Sequence, residues 1–475
     1  MSIGRTTLTI AAASLFAIHA ASAQTIDCAC SGDFEVGDRV RLLVSNPGPL
    51  SGLPAGTIGT VICGRTPPGV GLDLLVRWDN WTNGSAGAVN VCDCPVAPGG
   101  GTTSDGTVAC TAVELFTPVT NITQGTDHFT IAEGVTEAVA GDVLELDAYT
   151  FVEQDILLNN KDITIRGQGP GLTIVDGNNV AGSIFQFRNG DESTIEGLTL
   201  RNGFEPDDNG GGAADLLGGA TSVTFLNCRF ESNDGGTAPA GAVYLQQGSI
   251  FFERCVFSDT TGSHIVAIAG ASVSAIQCLF ADSTPSQNAI RLQDAGMPVS
   301  GLFVNCTFAN VTGQRHIRIL GPGSTGEIIN CVFDDSASGS AFAATTDATL
   351  ITNSRNVYPG ATGDNIDGIP TFVDGANGDF RLASGSLGID AANADAYLDE
   401  GGMSLDLAGA FRYSDDTGTF NTGVGPTSIL DSGAYEFQGN SPAQGQCPGD
   451  LDSDGDTDLG DFTILASDFG CAPSP

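Results

Sequence analysis

Lysine is almost missing from this chain of 475 residues: Lys161 is the single one. Lysine and arginine together number 17 against 56 aspartates and glutamates, a formal net charge of −39. That balance excludes nucleic acid and anionic membrane as partners, because both are bound through clustered cations. It would also repel polyanions in general, and it suits solubility and cation binding. Tryptophan and methionine are scarce, at 2 and 3 residues. After the first 23 residues no apolar run is long enough to cross a bilayer, which needs about 20 residues, so no membrane insertion is expected. Only 4 histidines occur and none recurs at fixed spacing, which argues against a ladder of zinc sites.

Glycine, in contrast, is abundant at 65 residues, as many short strands and tight turns require. Residues 1–23 have the pattern of a secretory signal: Arg5, an apolar stretch from Leu8 to Ile18, and Ala21-Ser-Ala23 as a small-residue cleavage site. The mature chain is therefore expected outside the cell, secreted or on the cell surface, where disulfides can form.

A Cys-x-Phe triplet returns five times, at Cys228, Cys255, Cys278, Cys306 and Cys331, in steps of 27, 23, 28 and 25 residues. A period of that length marks stacked units, none of which buries its apolar face alone. Three residues before each cysteine stand Phe225, Phe252, Ala275, Phe303 and Ile328, all apolar. One residue before it stand Asn227, Arg254, Gln277, Asn305 and Asn330, where strict alternation would put an inward side chain. The period-2 pattern slips there, and a slip needs a bend; asparagine tolerates the left-handed backbone of such a bend. An earlier copy has Gly197 at the bend, with Leu198 and Leu200 at the Cys and Phe positions. Each unit reads as strand, bend, short strand, turn and further strand. About 25 residues per turn, at roughly 3.3 Å per strand residue, form a coil of three short faces. The fold expected is an all-β parallel solenoid with cysteines and phenylalanines stacked in its core. Those five cysteines read as buried free thiols, with disulfides between neighbouring coils as the alternative.

The C-terminal part of the sequence carries a different motif. Asp450, Asp452, Asp454, Asp456, Asp458 and Asp461 fall at positions 1, 3, 5, 7, 9 and 12 of a loop with Gly455 at position 6. Calcium takes six to eight hard oxygens, and alternate residues of a tight turn can supply them, Asp456 through its backbone carbonyl. Leu459, Phe462, Leu465 and Phe469 follow at helical spacing. Cys447 and Cys471 bracket loop and helix, and a disulfide between them would close a unit too small for its own core. Ca2+ is the cofactor expected, within a unit at 445–475. An aspartate at position 12 resembles dockerin modules. Those carry two such loops and this chain has one, so a cohesin-type partner is not implied.

Residues 24–118 hold six cysteines and both tryptophans, with strand-like runs at 39–44, 56–62 and 74–78. Gly37-Asp-Arg-Val40, Gly59-Thr-Val61 and Val76-Arg-Trp78 resemble an SH3-like β-barrel. Without a histidine in the module, disulfides outrank zinc, and six cysteines allow 15 pairings. Trp78 reads as core. Trp81 is a candidate for stacking on a ligand, with packing as its alternative. Residues 115–126 read as a linker.

The chain as a whole resembles the secreted right-handed parallel β-helix proteins of bacteria, of pectin-lyase-like type, over residues 126–438. The likeness begins at 137–146, Ile163-Thr-Ile-Arg-Gly167 and Leu172-Thr-Ile-Val-Asp-Gly177. It ends at Asn377-Gly-Asp-Phe-Arg-Leu382, Gly385-Ser-Leu-Gly-Ile-Asp390 and Asp431-Ser-Gly-Ala-Tyr-Glu-Phe437, an ending typical of β-helix proteins with varied C-terminal anchors. Many such relatives are polysaccharide lyases or glycoside hydrolases. Lyase chemistry needs a basic residue to take the proton next to a uronate carboxylate. The candidates for it are Arg291, Arg315 and Arg318, with Asp207 and Asp208 in a glycine-rich insertion at 203–220. Arg291 and Arg318, one coil apart, are expected side by side. The paired-aspartate and Gly-His-Gly motifs of polygalacturonases do not occur. The reading favoured is extracellular binding or attachment, to polysaccharide or the cell envelope. A carbohydrate-active enzyme and a purely structural surface protein are the competing classes.

Overall fold

The computed structural model describes residues 39–42, 58–65, 73–78, 105–109 and 113–439, except 207–209, 220, 237–239, 285–287, 353 and 426–427. The signal-like segment, Trp81, Asp207, Asp208 and the aspartates and cysteines of 445–475 lie outside the described residues. The chain divides into two compact units, residues 1–117 and 118–475.

The first unit holds a five-stranded antiparallel sheet. Its order is Asp105–Ala109, Asp73–Trp78, Ile58–Arg65, Arg39–Leu42 and Val113–Leu115. The three strand-like runs of the sequence are therefore strands. Val40, Leu42, Val76 and Phe116 are buried in it, and the Arg41 guanidinium lies 4.5 Å from the centre of the Phe116 ring.

The second unit is a right-handed parallel β-solenoid of about seven turns. Three sheets of 11, 10 and 8 strands form its faces. One coil runs through Ser249–Glu253 in the first sheet, Val256–Ser258 in the second and Ser263–Ile268 in the third, and re-enters the first at Ser272–Ile276. The register is the one that the triplets require. Phe225, Phe252, Ala275, Phe303 and Ile328 are paired across successive coils. Gly197, Asn227, Arg254, Gln277, Asn305 and Asn330 all have φ between 47 and 68°. The one-residue slip is thus a left-handed bend between first and second sheets. A further left-handed position, at Asn202, Ser232, Asp259, Asp282 and Asn310, was not anticipated. It lies two residues after Leu200, Phe230, Phe257, Phe280 and Phe308 and is each time Asn, Asp or Ser, a small polar residue whose recurrence the sequence also displays.

Every Cys and Phe of the triplets is fully buried, and the five thiols are free. Each thiol donates to the carbonyl two residues earlier, at 3.3–3.5 Å. The rings of Phe230, Phe257, Phe280, Phe308 and Phe333 form a stack, with centroids 4.4, 4.9, 4.9 and 4.7 Å apart.

A hairpin and a helix close the N-terminal end of this stack. Residues Val119–Asn121, read from the sequence as linker, pair antiparallel with Val143–Leu146. Helix Ile131–Glu137 buries Ile131 and Val135 on the core. It is fixed by a capping box of Thr130 and Glu133, and the Glu153 carboxylate accepts from the amides of Ile131 and Ala132 at 2.9 and 3.0 Å.

Residues 390–437 do not add coils. They pack over the outside of the bend corner, where Ile276, Val304 and Ile329 meet Ala392, Ala394, Tyr397 and Leu430. The bend side chains reach out to this cover: Asn305 donates to Asp431 O at 2.8 Å, Asn330 to Asn393 O at 2.9 Å and Gln277 to Leu405 O at 2.8 Å. At the centre of the cover Arg412 is fully buried, 3.6 Å from the Glu436 carboxylate and donating to Asp431 O and Gly433 O at 3.2 and 2.9 Å.

Candidate functional site

The third sheet turns every second residue outward. Ile290 and Leu292 are buried, so Arg291 between them faces out; Ile317 and Ile319 set Arg318 in the same way. Arg291 and Arg318 are direct partners in the parallel register. Neighbouring strands lie about 4.8 Å apart, so two guanidiniums share one patch, as expected. Both are half-buried. Burial first, and then Arg318, hold the Arg291 guanidinium below its ordinary value. Arg291 donates to Gln293 Oε1, while its Nε has no hydrogen-bond partner among the described residues. Among the described residues no carboxylate lies within ion-pair distance of Arg291, Arg315 or Arg318, although most other arginines of the solenoid have one.

The same outward column continues from Arg291 through Val266 and Tyr244 to Asp215. Asp215 is buried and paired with Arg188 at 2.7 Å. Burial pushes its carboxyl up to about 6, Arg188 draws it back, and Glu205 adds to the rise. Burial, then Asp215, also raises the Tyr244 hydroxyl. Sequence reasoning missed Arg188, Asp215 and Tyr244. The connections between coils differ in length, so equal positions on one face stand at unequal spacings in the chain. Register alone aligns them.

The run Arg315-His316-Ile317-Arg318 is not one exposed cluster. His316 is fully buried against the rings of Phe308 and Phe333, with Nε2 3.4 Å from Asp334 Oδ1. The amides of His316 and Ile317 both donate to Ala341 O, at 2.9 and 3.2 Å, and the alternation slips there. Arg315 is in register with Asn288, away from the Arg291 and Arg318 pair. The second core histidine, His264, is buried on Phe257 and Phe280, and burial drives its imidazole down to about 3. It is neutral at physiological pH and part of the aromatic column.

Two unneutralised guanidiniums on a flat strand face can bind a carboxylate or sulfate by charge-assisted hydrogen bonds. Among the described residues no group of three or more His, Cys, Asp or Glu side chains is arranged to hold a metal. No protein-family model matches the chain, and no curated protein matches it.

Proposed function

We propose that this is a secreted, calcium-binding β-helix protein that works by non-catalytic binding. Its ligand is an acidic polysaccharide, free or in a cell envelope, held on the outer face of the third sheet. The observation that carries this reading is the Arg291 and Arg318 pair, in register and without a described carboxylate partner, in a chain where acids outnumber cations 56 to 17. In such a composition a cation without an acid beside it stands ready for an anion brought from outside. The repulsion of the −39 charge is screened beyond about 8 Å at physiological salt, so contact is governed by the local pair. A polymer with one anion per sugar offers repeated partners along the coils.

The test is binding of the full chain to polygalacturonate, with dextran as the neutral control. Each of Arg291→Ala and Arg318→Ala is expected to weaken binding to polygalacturonate by about 10- to 100-fold, as loss of a charged hydrogen bond does. Equal binding by both variants sinks the reading. A rise in ultraviolet absorbance from cleaved uronate chains, lost in Arg318→Ala, would convert the pair from a binding site into a lyase site.

The proposal extends to two further parts of the chain: an SH3-like disulfide module at 24–118, which contains the five-stranded sheet, and, outside the described residues, a dockerin-like loop whose six aspartates, Asp450 to Asp461, hold Ca2+. The support is the pattern of acids and glycine in the sequence. Calorimetry of the full chain is expected to show one Ca2+ site in the millimolar range or tighter, abolished by Asp450→Ala with Asp454→Ala. Absence of heat up to several millimolar rejects it.

A further inference from the structure

A cleft of about 620 Å3 opens near the C-terminal end of the solenoid unit, lined among others by Arg355, Asn365, Leu387, Ile389, Thr419 and Phe420. Its volume falls in the range of roughly 300–1,000 Å3 that holds small ligands, and most of it is open to solvent, as a site on one face of a sugar requires. Phe420 is 92% exposed, the most exposed large apolar side chain among the described residues. A single exposed apolar residue is ordinary; a phenyl ring on the wall of a cleft with polar groups beside it is a platform.

Arg355 supplies those polar groups. It sits in a left-handed bend, φ 55°, the bend position one coil after Asn330. Its Nε donates to Ala391 O at 2.6 Å and its Nη2 to Thr422 O at 2.5 Å and Thr422 Oγ1 at 3.0 Å. The guanidinium is thereby fixed in the wall, and among the described residues Nη1 has no hydrogen-bond partner. Burial lowers this guanidinium and the nearby Asp364 raises it. One cation offset by the carboxylate of Asp364 does not favour an anion. It leaves N–H donors suited to hydroxyl oxygens.

The geometry points to a neutral sugar ring as the occupant, its apolar C–H face on Phe420 and its hydroxyls on Arg355 and Thr419. The site is separate from the Arg291 and Arg318 patch and makes a second contact of different chemistry.

Phe420→Trp provides the readout, because both native tryptophans, Trp78 and Trp81, lie in the other unit. Titration of this variant with cellotriose, xylotriose and mannotriose is expected to give a saturable fluorescence change with at least one, and trigalacturonate is expected to bind no tighter. By calorimetry, Phe420→Ser is expected to weaken that binding at least tenfold relative to the native chain at an unchanged melting temperature, and Arg318→Ala to leave it unaltered. No saturable change with any of the three neutral sugars overturns the inference, as does undiminished binding by Phe420→Ser. Loss of binding in Arg318→Ala would merge the two sites and overturn it equally. Failure of polygalacturonate binding leaves these outcomes as decisive as before, so the two readings fall separately.

Discussion

Replacing Phe280 by alanine is expected to lower the unfolding free energy by about 3–5 kcal/mol, the range for a large aromatic removed from a close-packed core. Phe280 is fully buried, with Phe257 and Phe308 stacked on its two faces at 4.9 Å each. Phe303 meets it edge-on at 6.5 Å and His264 lies at 6.0 Å. The cavity cannot close by collapse, because strand ladders hold successive coils about 4.8 Å apart, and the neighbouring rings are tied to those coils. The loss should therefore sit at the upper end. Denaturant unfolding measures it, and Phe280→Leu should cost less than half as much. In a solenoid each coil contacts only its neighbours, so the defect is also expected to divide unfolding into two steps. A loss under 1 kcal/mol would show that the column relaxes freely and is not a rigid core.

Arg412→Ala is expected to cost about as much, roughly 3–5 kcal/mol, because two buried carbonyls lose a charged donor, at about 1.5–3 kcal/mol each. It takes the donor from the carbonyls of Asp431 and Gly433 and removes a fully buried side chain lying 3.6 Å from the Glu436 carboxyl group. The double variant Arg412→Met with Glu436→Gln fills the space of the Arg412 side chain and keeps a neutral side chain at 436, and should lose less than Arg412→Ala alone. An additive result would deny the coupling. The pH dependence has a definite sign. Burial raises Asp431 to about 7 and Glu436 to about 10, each against the pull of Arg412. Unfolded carboxylates titrate near 4, so between about pH 4 and 7 the folded state holds protons that the unfolded state has lost. Stability from these groups is fully present below about pH 4 and falls as the pH rises through their folded values, about 7 for Asp431 and about 10 for Glu436. Melting temperatures from pH 4 to 8 check this, and Glu436→Gln should flatten the slope. A slope that rises with pH and is unchanged in Glu436→Gln would mean the cluster is ionised throughout.

Much of the solenoid was legible because its repeat is written in two kinds of residue at once. The triplet marked the buried strand, and the residue before each cysteine marked the bend; both are local demands of backbone geometry and burial. The pairing of Arg291 with Arg318 was legible too, since each stands at the same place within its own coil. The company they keep was not. Asp215 and Tyr244 reach that face only through connections of unequal length. His316 sits within a basic run yet turns inward at a slip in the strand. The cover formed by 390–437 was read as an ending of the stack, because nothing in its sequence states which surface it meets.

The sequence by itself determined the coil: its length, its bend, its buried rings and thiols, and the surplus of acid on its surface. These follow from rules that act between residues close in the chain, repeated until they reinforce one another. Tertiary structure alone decided what meets across coils and over the corner. It kept the described carboxylates away from the paired guanidiniums, sank Arg412 and Glu436 beneath a returning segment, and left Phe420 on the wall of a cleft. Those outcomes depend on register and on the path of irregular connections, and neither has a period for the sequence to display.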